Sequence, residues 1–372
     1  MSKLLLQLKN KLKKKMNKLN SMYAVVLMAS VFAACSKDEA DPIIVVPPSD
    51  GSTMTLNGIA GTEDGTSAAN SVYVDFSADK QTPVLRSSWD LGFYSGAEFK
   101  VILNATNGAS VAKLSKTDLN AVTETDLTQA NLVITLGGTA EYGKLDDPRE
   151  TNILNKTAIA AISATDGENA VYLFNPAGGS HSSPFNVDNV YKIKILRKGA
   201  GYTLQYAKLK ETTFKTLDVA KDTKLNFSFV SLSGGKTVNV EPAKAEWDMV
   251  WTWSLYYSGA PGSEFVYSFS DLVFTNNIGG VTAAQISTST KSYVAYAEAD
   301  VASTNFLSNR DVIGSKWRIT SPATSAGVNS EVFYVIKDGA GNVYKLKFNS
   351  FHANDAGTRG KPVLEYKLVK KG

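Results

Sequence analysis

Cysteine and histidine are scarce in this chain of 372 residues, which contains one cysteine, Cys35, and two histidines, His181 and His352. One cysteine cannot form an internal disulfide bond, and two histidines are too few for a histidine-rich metal centre. The sequence also lacks a glycine-rich phosphate loop between a strand and a helix. The serine and histidine residues of GSHSSP are close together in sequence, and this proximity does not indicate a serine nucleophile with its base. We therefore expect a binding protein and not an enzyme.

The first 34 residues have the pattern of a secretory signal. Residues 1–20 are rich in lysine, residues 21–34 read SMYAVVLMASVFAA, and Cys35 follows. The apolar run is too short to span a bilayer comfortably, and small residues precede the cleavage site. VFAAC resembles a bacterial lipobox with Phe32 where leucine is usual, which implies that Cys35 is lipidated. The alternative is an ordinary buried cysteine after an amphipathic start.

Removal of residues 1–34 changes the charge of the chain. The full sequence has 39 basic and 35 acidic residues, and seven of the lysines but no acidic residue lie in this segment. The mature chain then has 32 basic and 35 acidic residues, a net charge of −3. Because the basic excess belongs to the targeting segment, it does not indicate a nucleic-acid partner.

The segment after Cys35 is predicted to be an extended tether over residues 35–56, because it mixes acidic residues, prolines and small residues. Lys37, Asp38 and Glu39 resemble a signal that sends bacterial lipoproteins to the outer face of the outer membrane. We therefore expect a protein attached to the outer membrane by its lipid anchor alone and facing the cell exterior.

The remaining sequence predicts an all-β protein, mainly antiparallel, with few short helices. Short alternating runs of β-branched and aromatic residues are separated by clusters of Gly, Asn, Asp and Ser. The clearest hairpins are residues 331–348, with a turn at 338–341, and residues 189–209, with a turn at 198–201. The segment 123–136 is the best helix candidate, but its periodicity is ambiguous.

Several landmarks occur twice in the same order. Trp-Asp occurs at 89 and 247, Val-Tyr-Lys at 190 and 343, and Leu-X-Tyr at 204 and 364. The offsets of 158, 153 and 160 residues are nearly constant and indicate tandem duplication. We predict two β domains, residues 57–212 and 213–372. In extended strands, Trp247, Met249, Trp251 and Trp253 would share one face, as would Trp89, Leu91 and Phe93.

These residues also resemble a known family. WDLGF, an apolar strand that ends in Asn-Gly, and a late hairpin with VYKLKF are similar to the HmuY-like family of haem-binding surface lipoproteins, and the second half is the closer match. The resemblance implies two tandem HmuY-like domains that bind haem or a related porphyrin for haem and iron acquisition. It further implies host haem carriers and an outer-membrane receptor as partners.

The family pattern of two axial histidines or methionines from one domain is not matched here. The two candidate haem ligands, His181 and His352, lie in different repeats at positions that do not correspond, and Met249 is expected in the core. His181 lies in a loop rich in Gly and Ser, and a neutral imidazole there could ligate haem iron. A solvated loop histidine is the alternative. Beyond haem iron, no metal is expected.

An aromatic cluster offers the other candidate residues. Trp251 and Trp253 could form a surface that stacks on a porphyrin or a sugar ring, and Tyr256 or Tyr257 could ligate iron. Core packing is the alternative, because bulky aromatics spaced by two usually fill the core of a small β domain. The alternative function is a binding or adhesion module that recognises a glycan or a protein partner without iron.

Overall fold

The computed structural model describes residues 47–178 and 184–372. Residues 48–372 form one compact unit, which consists mainly of antiparallel sheets with short helical turns. The predicted all-β class is confirmed. Within the described ranges, no helix is long and apolar enough to cross a membrane.

The strands up to residue 208 form the first repeat. They are β1 (Gly51–Thr55), β2 (Asn70–Asp75), β3 (Lys80–Leu85), β4 (Leu91–Tyr94), β5 (Val101–Leu103), β6 (Ser110–Lys113), β7 (Tyr172–Asn175), β8 (Tyr191–Lys198) and β9 (Gly201–Lys208).

The strands from residue 215 onward form the second repeat. They are β10 (Lys215–Val219), β11 (Phe227–Ser231), β12 (Lys236–Val238), β13 (Met249–Ser258), β14 (Phe265–Thr275), β15 (Thr282–Ser287), β16 (Arg318–Ile319), β17 (Gly327–Val328), β18 (Val332–Lys337), β19 (Val343–Ser350) and β20 (Val363–Lys370).

Helical structure among the described residues is limited to single turns. One α-helical turn, α1, covers Glu298–Val301. The 3₁₀ turns are Gly65–Ser67, Arg86–Ser88, Ala105–Asn107, Leu119–Ala121, Glu124–Asp126, Gln129–Asn131, Ala140–Gly143, Ile153–Asn155, Asp166–Glu168, Val187–Asn189, Ala323–Ser325 and Ala353–Asp355. The ambiguous segment 123–136 thus contains two 3₁₀ turns and no α-helix.

The large sheets have matching strand orders. The five-stranded sheets are β1-β20-β19-β18-β15 and β10-β9-β8-β7-β6. The four-stranded sheets are β14-β13-β2-β3 and β12-β11-β4-β5, and the second order corresponds to the first when it is read from β5 to β12. A further small sheet pairs β16 with β17. Strands at corresponding places in the two repeats therefore occupy corresponding places in the sheets.

The first three strands of each repeat are exchanged. β1 pairs with β20 and β2 with β13, whereas β10 pairs with β9 and β11 with β4. One sheet pair, the first sandwich, therefore contains β4–β12, and the second sandwich contains β1–β3 with β13–β15 and β18–β20. Each of the predicted domains, 57–212 and 213–372, contributes strands to both sandwiches. Whether these two segments fold as separate units stays a prediction.

Each sandwich encloses its own core. Leu91 and Phe93 lie in the core of the first sandwich, and Met249 and Trp251 lie in the core of the second. Between the two four-stranded sheets lies a third cluster, the interface cluster, which includes Tyr73, Trp89, Phe227, Phe229, Trp247, Val250 and Phe274. Central strands such as β2 are thus buried on both faces.

The predicted hairpins are confirmed. β18 and β19 pair around the turn at Asp338, whose Oδ1 accepts hydrogen bonds from the backbone N of Ala340 and Asn342 at 2.9 and 2.8 Å. β8 and β9 pair around the turn that follows Lys198. The predicted tether requires a correction, because its residues 51–55 form β1, where Met54 is buried and pairs with Leu364.

The prediction that four residues of the second Trp-Asp strand share one face is wrong in part. Met249 and Trp251 point into the second core, as the alternation requires. Trp247 precedes β13 and lies in the interface cluster, as Trp89 does ahead of β4. The register shifts between Thr252 and Ser254, and such a bulge turns the following side chain away from its expected face.

The repeated Trp-Asp motif binds the exchanged strands, and a repeated Asn binds the motif. Asp90 Oδ2 accepts a hydrogen bond from Leu232 N at 2.7 Å, and Asp248 Oδ2 accepts one from Phe76 N at 2.8 Å. In each case the donor follows an exchanged strand, β11 or β2. Asn104 Nδ2 donates to Trp89 O at 2.7 Å, and Asn276 Nδ2 donates to Trp247 O at 2.9 Å. The repeated motif is therefore an attachment point for the exchanged hairpins.

Candidate functional site

His352 follows β19 and caps a short helical turn. Its Nδ1 accepts a hydrogen bond from Asn354 N at 3.3 Å, and its backbone N donates to Asp355 Oδ1 at 2.8 Å. Because Nδ1 is the acceptor, the proton of the neutral ring lies on Nε2. A histidine that ligates a metal usually holds the opposite arrangement, with the second nitrogen donating. His352 therefore has a local structural role that competes with iron ligation.

Tyr256 and Tyr257 share one carboxylate partner. Their hydroxyl groups donate to Asp311 Oδ2 at 2.5 and 3.3 Å, and their ring centroids are 4.4 Å apart. Burial and the Asp311 carboxylate raise the pKa of Tyr256 far above its usual range, and burial raises the pKa of Tyr257. Both effects disfavour the phenolate that would ligate iron. The pair fixes Asp311 instead.

Trp251 and Trp253 do not form an aromatic surface, so this interpretation is corrected. Trp251 is 1% exposed in the second core, where its ring lies against Gly58. Trp253 is 6% exposed and packs with Leu255 and with Tyr142 of the first repeat. The alternative interpretation, core packing, describes both residues, and Met249 lies in the core as expected.

Two further candidates, Cys35 and His181, lie outside the described residues. Before His181, the described chain ends at Gly178, whose O accepts a hydrogen bond from Ile134 N at 3.2 Å. A side chain at residue 178 would meet Ser110 Oγ at 2.1 Å, so the close backbone approach requires glycine. After the loop, Phe185 packs on a hydrophobic cluster of the first repeat.

Two open clefts lie in the second repeat. Cleft A has a volume of about 620 Å³ and is lined by the apolar Ile286, Leu307 and Val312 and by Lys291 and Lys316. Asp311, the partner of both tyrosines, also lines cleft A. Leu307 is 43% exposed, so its apolar surface is accessible at the cleft. Lys291 binds Asp300 at 2.8 Å, whereas Lys316 forms no ion pair with a described residue.

Cleft B has a similar volume, about 630 Å³, and a different wall. It is lined by Val332, Phe333 and Phe348 and by two residues of the turn that His352 caps, Asn354 and Asp355. Among the described candidate ligands, His352 therefore lies next to the wall of cleft B, and Tyr256 and Tyr257 contact Asp311 in the wall of cleft A. The structure does not bring them together as a pair of iron ligands.

Lys345 holds residues 293–296, the segment between the clefts. Its Nζ donates to Tyr293 O and Tyr296 O, both at 2.7 Å. Tyr293 lines cleft B and Tyr296 lines cleft A. The sequence marked Lys345 as part of the repeated Val-Tyr-Lys, but an alternating strand pattern does not show that its long side chain reaches a distant backbone. Neither Lys316 nor Leu307 belongs to a motif that the sequence analysis identified.

Haem is the group that the sequence resemblance implies, and the described residues fit it only in part. Cleft A falls within the volume range of small-molecule sites and combines apolar side chains with lysines, which suits an apolar ring with acidic substituents. An axial pair does not fit, because His352 and Tyr256 are held in other hydrogen bonds and lie in different clefts.

Comparison with known proteins gives one match. The HmuY protein family matches residues 67–366. The chain belongs to the HmuY family. The match extends from the turn before β2 into β20 and therefore includes both repeats and both exchanged hairpins. No curated protein and no solved structure matches the chain significantly.

Proposed function

We propose that this HmuY-family member is a surface-exposed outer-membrane lipoprotein that binds haem or a related porphyrin for haem and iron acquisition. The observation that carries the proposal is the family match over residues 67–366. The protein would act by binding and not by catalysis. A host haem carrier and an outer-membrane receptor would be its partners, and the lipid on Cys35 its membrane attachment.

Cleft A is the described place that suits a porphyrin best. Leu307, Ile286 and Val312 offer apolar contact to the ring, and burial of such surface favours binding. Lys316 offers a cation to a propionate, and ion pairs of this kind act mainly in orientation when they are exposed. His181, which lies outside the described residues, stays the sequence candidate for an axial ligand, because it is a histidine in a segment rich in Gly and Ser.

Haem titration of the mature protein, followed by absorbance, tests this proposal. We expect a saturable change of the Soret band. Haem binding should be weaker than at a six-coordinate bis-histidine site, and the spectrum should differ, because one imidazole leaves the sixth position open. His181→Ala should alter the band, and His352→Ala, the matched control, should leave it unchanged. If neither matters but haem still binds, Tyr256, Tyr257 or apolar contact becomes the better account. Absence of a saturable change at micromolar haem would contradict haem binding.

A non-haem binding or adhesion module is the second candidate function. The observation that favours it is the engagement of His352 and Tyr256 in hydrogen bonds of their own. Cleft A also contains amide and carboxylate groups, among them Gln285, Asn305 and Asp300, which suit sugar hydroxyl groups. Binding of a glycan array together with a flat haem titration would select this alternative.

Lipidation of Cys35 is tested separately. The basic segment, the apolar run and the two alanines before Cys35 predict cleavage and acylation at this residue. Cys35→Ala should abolish fatty-acid labelling and release the protein from membranes. Ser36→Ala is the matched control and should leave both unchanged. Undiminished labelling of the Cys35→Ala protein would refute the prediction.

A further inference from the structure

A small cavity lies between the two four-stranded sheets, where the sandwiches meet. This interface cavity has a volume of about 140 Å³. Its aromatic wall includes Tyr73, Trp89, Phe229 and Phe274, contributed by both repeats. An apolar cavity of about 150 Å³ is large enough to hold benzene, so one aromatic ring fits this space.

The cavity also contains polar atoms without partners. Trp247 Nε1 and Asn226 Oδ1 are buried and form no hydrogen bond with residues 47–178 or 184–372. Both residues line the cavity, and they are 8% and 3% exposed. A buried donor and a buried acceptor without partners are costly, and native proteins rarely leave them so. Water or a ligand with polar groups would satisfy both atoms.

Arg310 supplies a charge at the same cavity. Its guanidinium lies 4.0 Å from the centroid of the Phe274 ring. Arg149, Arg318 and Arg359 each pair with a carboxylate within 4.0 Å, but among the described residues Arg310 has no such partner. Arg310 is partly buried, and burial lowers the pKa of its guanidinium, whereas the nearby Asp311 and Asp146 carboxylates oppose this shift. A guanidinium over an aromatic ring is a suitable receptor for a planar carboxylate.

The two acidic residues of the wall accept backbone hydrogen bonds and form no ion pair with Arg310 within 4.0 Å. Asp146 accepts hydrogen bonds from Leu103 N at 2.7 Å and Ala158 N at 2.9 Å, and Glu241 accepts from Asn226 N and Phe227 N. Burial raises the pKa of Asp146 to about 7 and that of Glu241 to about 8. Burial thus favours the neutral form of both acids, which reduces the repulsion of an entering anion.

We propose that the interface cavity is a binding site for a small aromatic carboxylate. The ring lies among Tyr73, Trp89 and Phe229, and the carboxylate accepts hydrogen bonds from Arg310. A polar group on the ring would satisfy Trp247 Nε1 or Asn226 Oδ1. Because the walls come from both repeats, the ligand also joins the two sandwiches. This site is separate from clefts A and B and does not depend on haem binding.

Calorimetric titration of the full mature protein with benzoate, phenol and acetate tests the site. Benzoate has the ring and the carboxylate, and each of the other probes has one of them. We expect saturable benzoate binding, with phenol and acetate each about tenfold or more weaker, as for loss of a charge-assisted hydrogen bond or of ring burial. Equal affinity for acetate and benzoate, or no saturable benzoate binding, would overturn the proposal.

Substitutions of Arg310 and Trp247 assign the contacts. Arg310→Gln should reduce benzoate affinity to about that of phenol, and Lys337→Gln, an exposed lysine outside the cavity, should not change it. If Arg310→Gln does not fold, Arg310→Lys retains the charge and should give intermediate affinity. Trp247→Phe should weaken binding of 4-hydroxybenzoate more than that of benzoate. Unchanged benzoate affinity in both Arg310 variants contradicts the proposal.

Discussion

The two repeats share their strand order and their internal attachments but differ in the segment inserted before the last three strands of the large sheet. In the first repeat, residues 114–171 contain several 3₁₀ turns, and much of their apolar surface packs on β7–β9 and on β13–β14. In the second repeat, residues 288–331 contain α1, β16 and β17 and form much of the walls of clefts A and B. The shared residues maintain the fold, and the inserted segments differ in the surface they offer to ligands.

The interface tryptophans test the shared part with the largest expected effect. Trp89 packs on Phe229 of the exchanged β11 at 4.7 Å between ring centroids, and Trp247 packs on Tyr73 of the exchanged β2 at 5.1 Å. Because the two environments correspond, Trp89→Ala and Trp247→Ala should each lower the free energy of unfolding by about 3–5 kcal/mol. Urea denaturation measures this.

Val294→Ala is the control for these variants. Val294 is 88% exposed, so its substitution should change the free energy of unfolding by less than about 0.5 kcal/mol. A loss below about 1 kcal/mol for only one of the tryptophans would show that the repeats are not equivalent at the interface.

The sequence predicted the parts of this fold that depend on local pattern. Alternation and Gly-containing turns identified the hairpins β8–β9 and β18–β19. Strand exchange was not predictable in this way, because β2 and β11 have similar patterns and either could pair with β4 or β13. The choice depends on contacts between residues far apart in sequence, such as Phe76 N with Asp248.

Site residues were harder to predict than strands. A single bulge after Thr252 moves Trp253 out of the face that alternation assigns to it. His352 was a candidate ligand by residue type, but its Nδ1 accepts a backbone hydrogen bond that depends on a three-residue turn. The interface cavity had no sequence signal, since its aromatic wall is assembled from β2, β11, β14 and the segments before β4 and β13 only after the exchange.

The buried lysines test the inserted segments, with an intermediate effect. Lys192 Nζ donates to Val122 O at 2.9 Å, whereas Lys345 Nζ donates to both Tyr293 O and Tyr296 O at 2.7 Å. Methionine retains most of the side-chain volume but leaves these carbonyl groups without the donor. Lys345→Met should therefore cost about 1–3 kcal/mol, and Lys192→Met about 1 kcal/mol.

Hydrogen exchange distinguishes local from global effects of these lysine variants. In Lys345→Met, amides of residues 288–305 should exchange faster, because the segment between the clefts loses its attachment. In Lys192→Met, the corresponding change should fall near residues 119–123. Equal costs with no local exchange difference would argue against anchoring as the role of Lys345.

The acids of the Trp-Asp motif give the smallest expected effect at low pH, and the effect increases as the pH rises. Burial raises the pKa of Asp248 from 3.8 to about 8, and Asp75 and Asp338 add to the shift. Burial also raises the pKa of Asp90, but there Lys208 opposes the shift. The folded state holds the Asp248 proton more tightly than the unfolded state, so this group's contribution to stability decreases between pH 3.8 and about 8.

Substitution by asparagine isolates this contribution, because the side-chain oxygen can still accept the hydrogen bond from Phe76 N. Below about pH 3.8 the acid is mainly neutral in both the folded and the unfolded protein, and Asp248→Asn should change stability by about 1 kcal/mol or less. As the pH rises from 3.8 to about 8, the variant should become increasingly more stable than the parent protein, because Asp248 of the parent ionises in the unfolded state but stays protonated in the folded interior. Asp90→Asn should show the same trend more weakly. Urea denaturation across this pH range measures both, and a parallel pH dependence for parent and Asp248→Asn would show that Asp248 does not ionise in the folded interior.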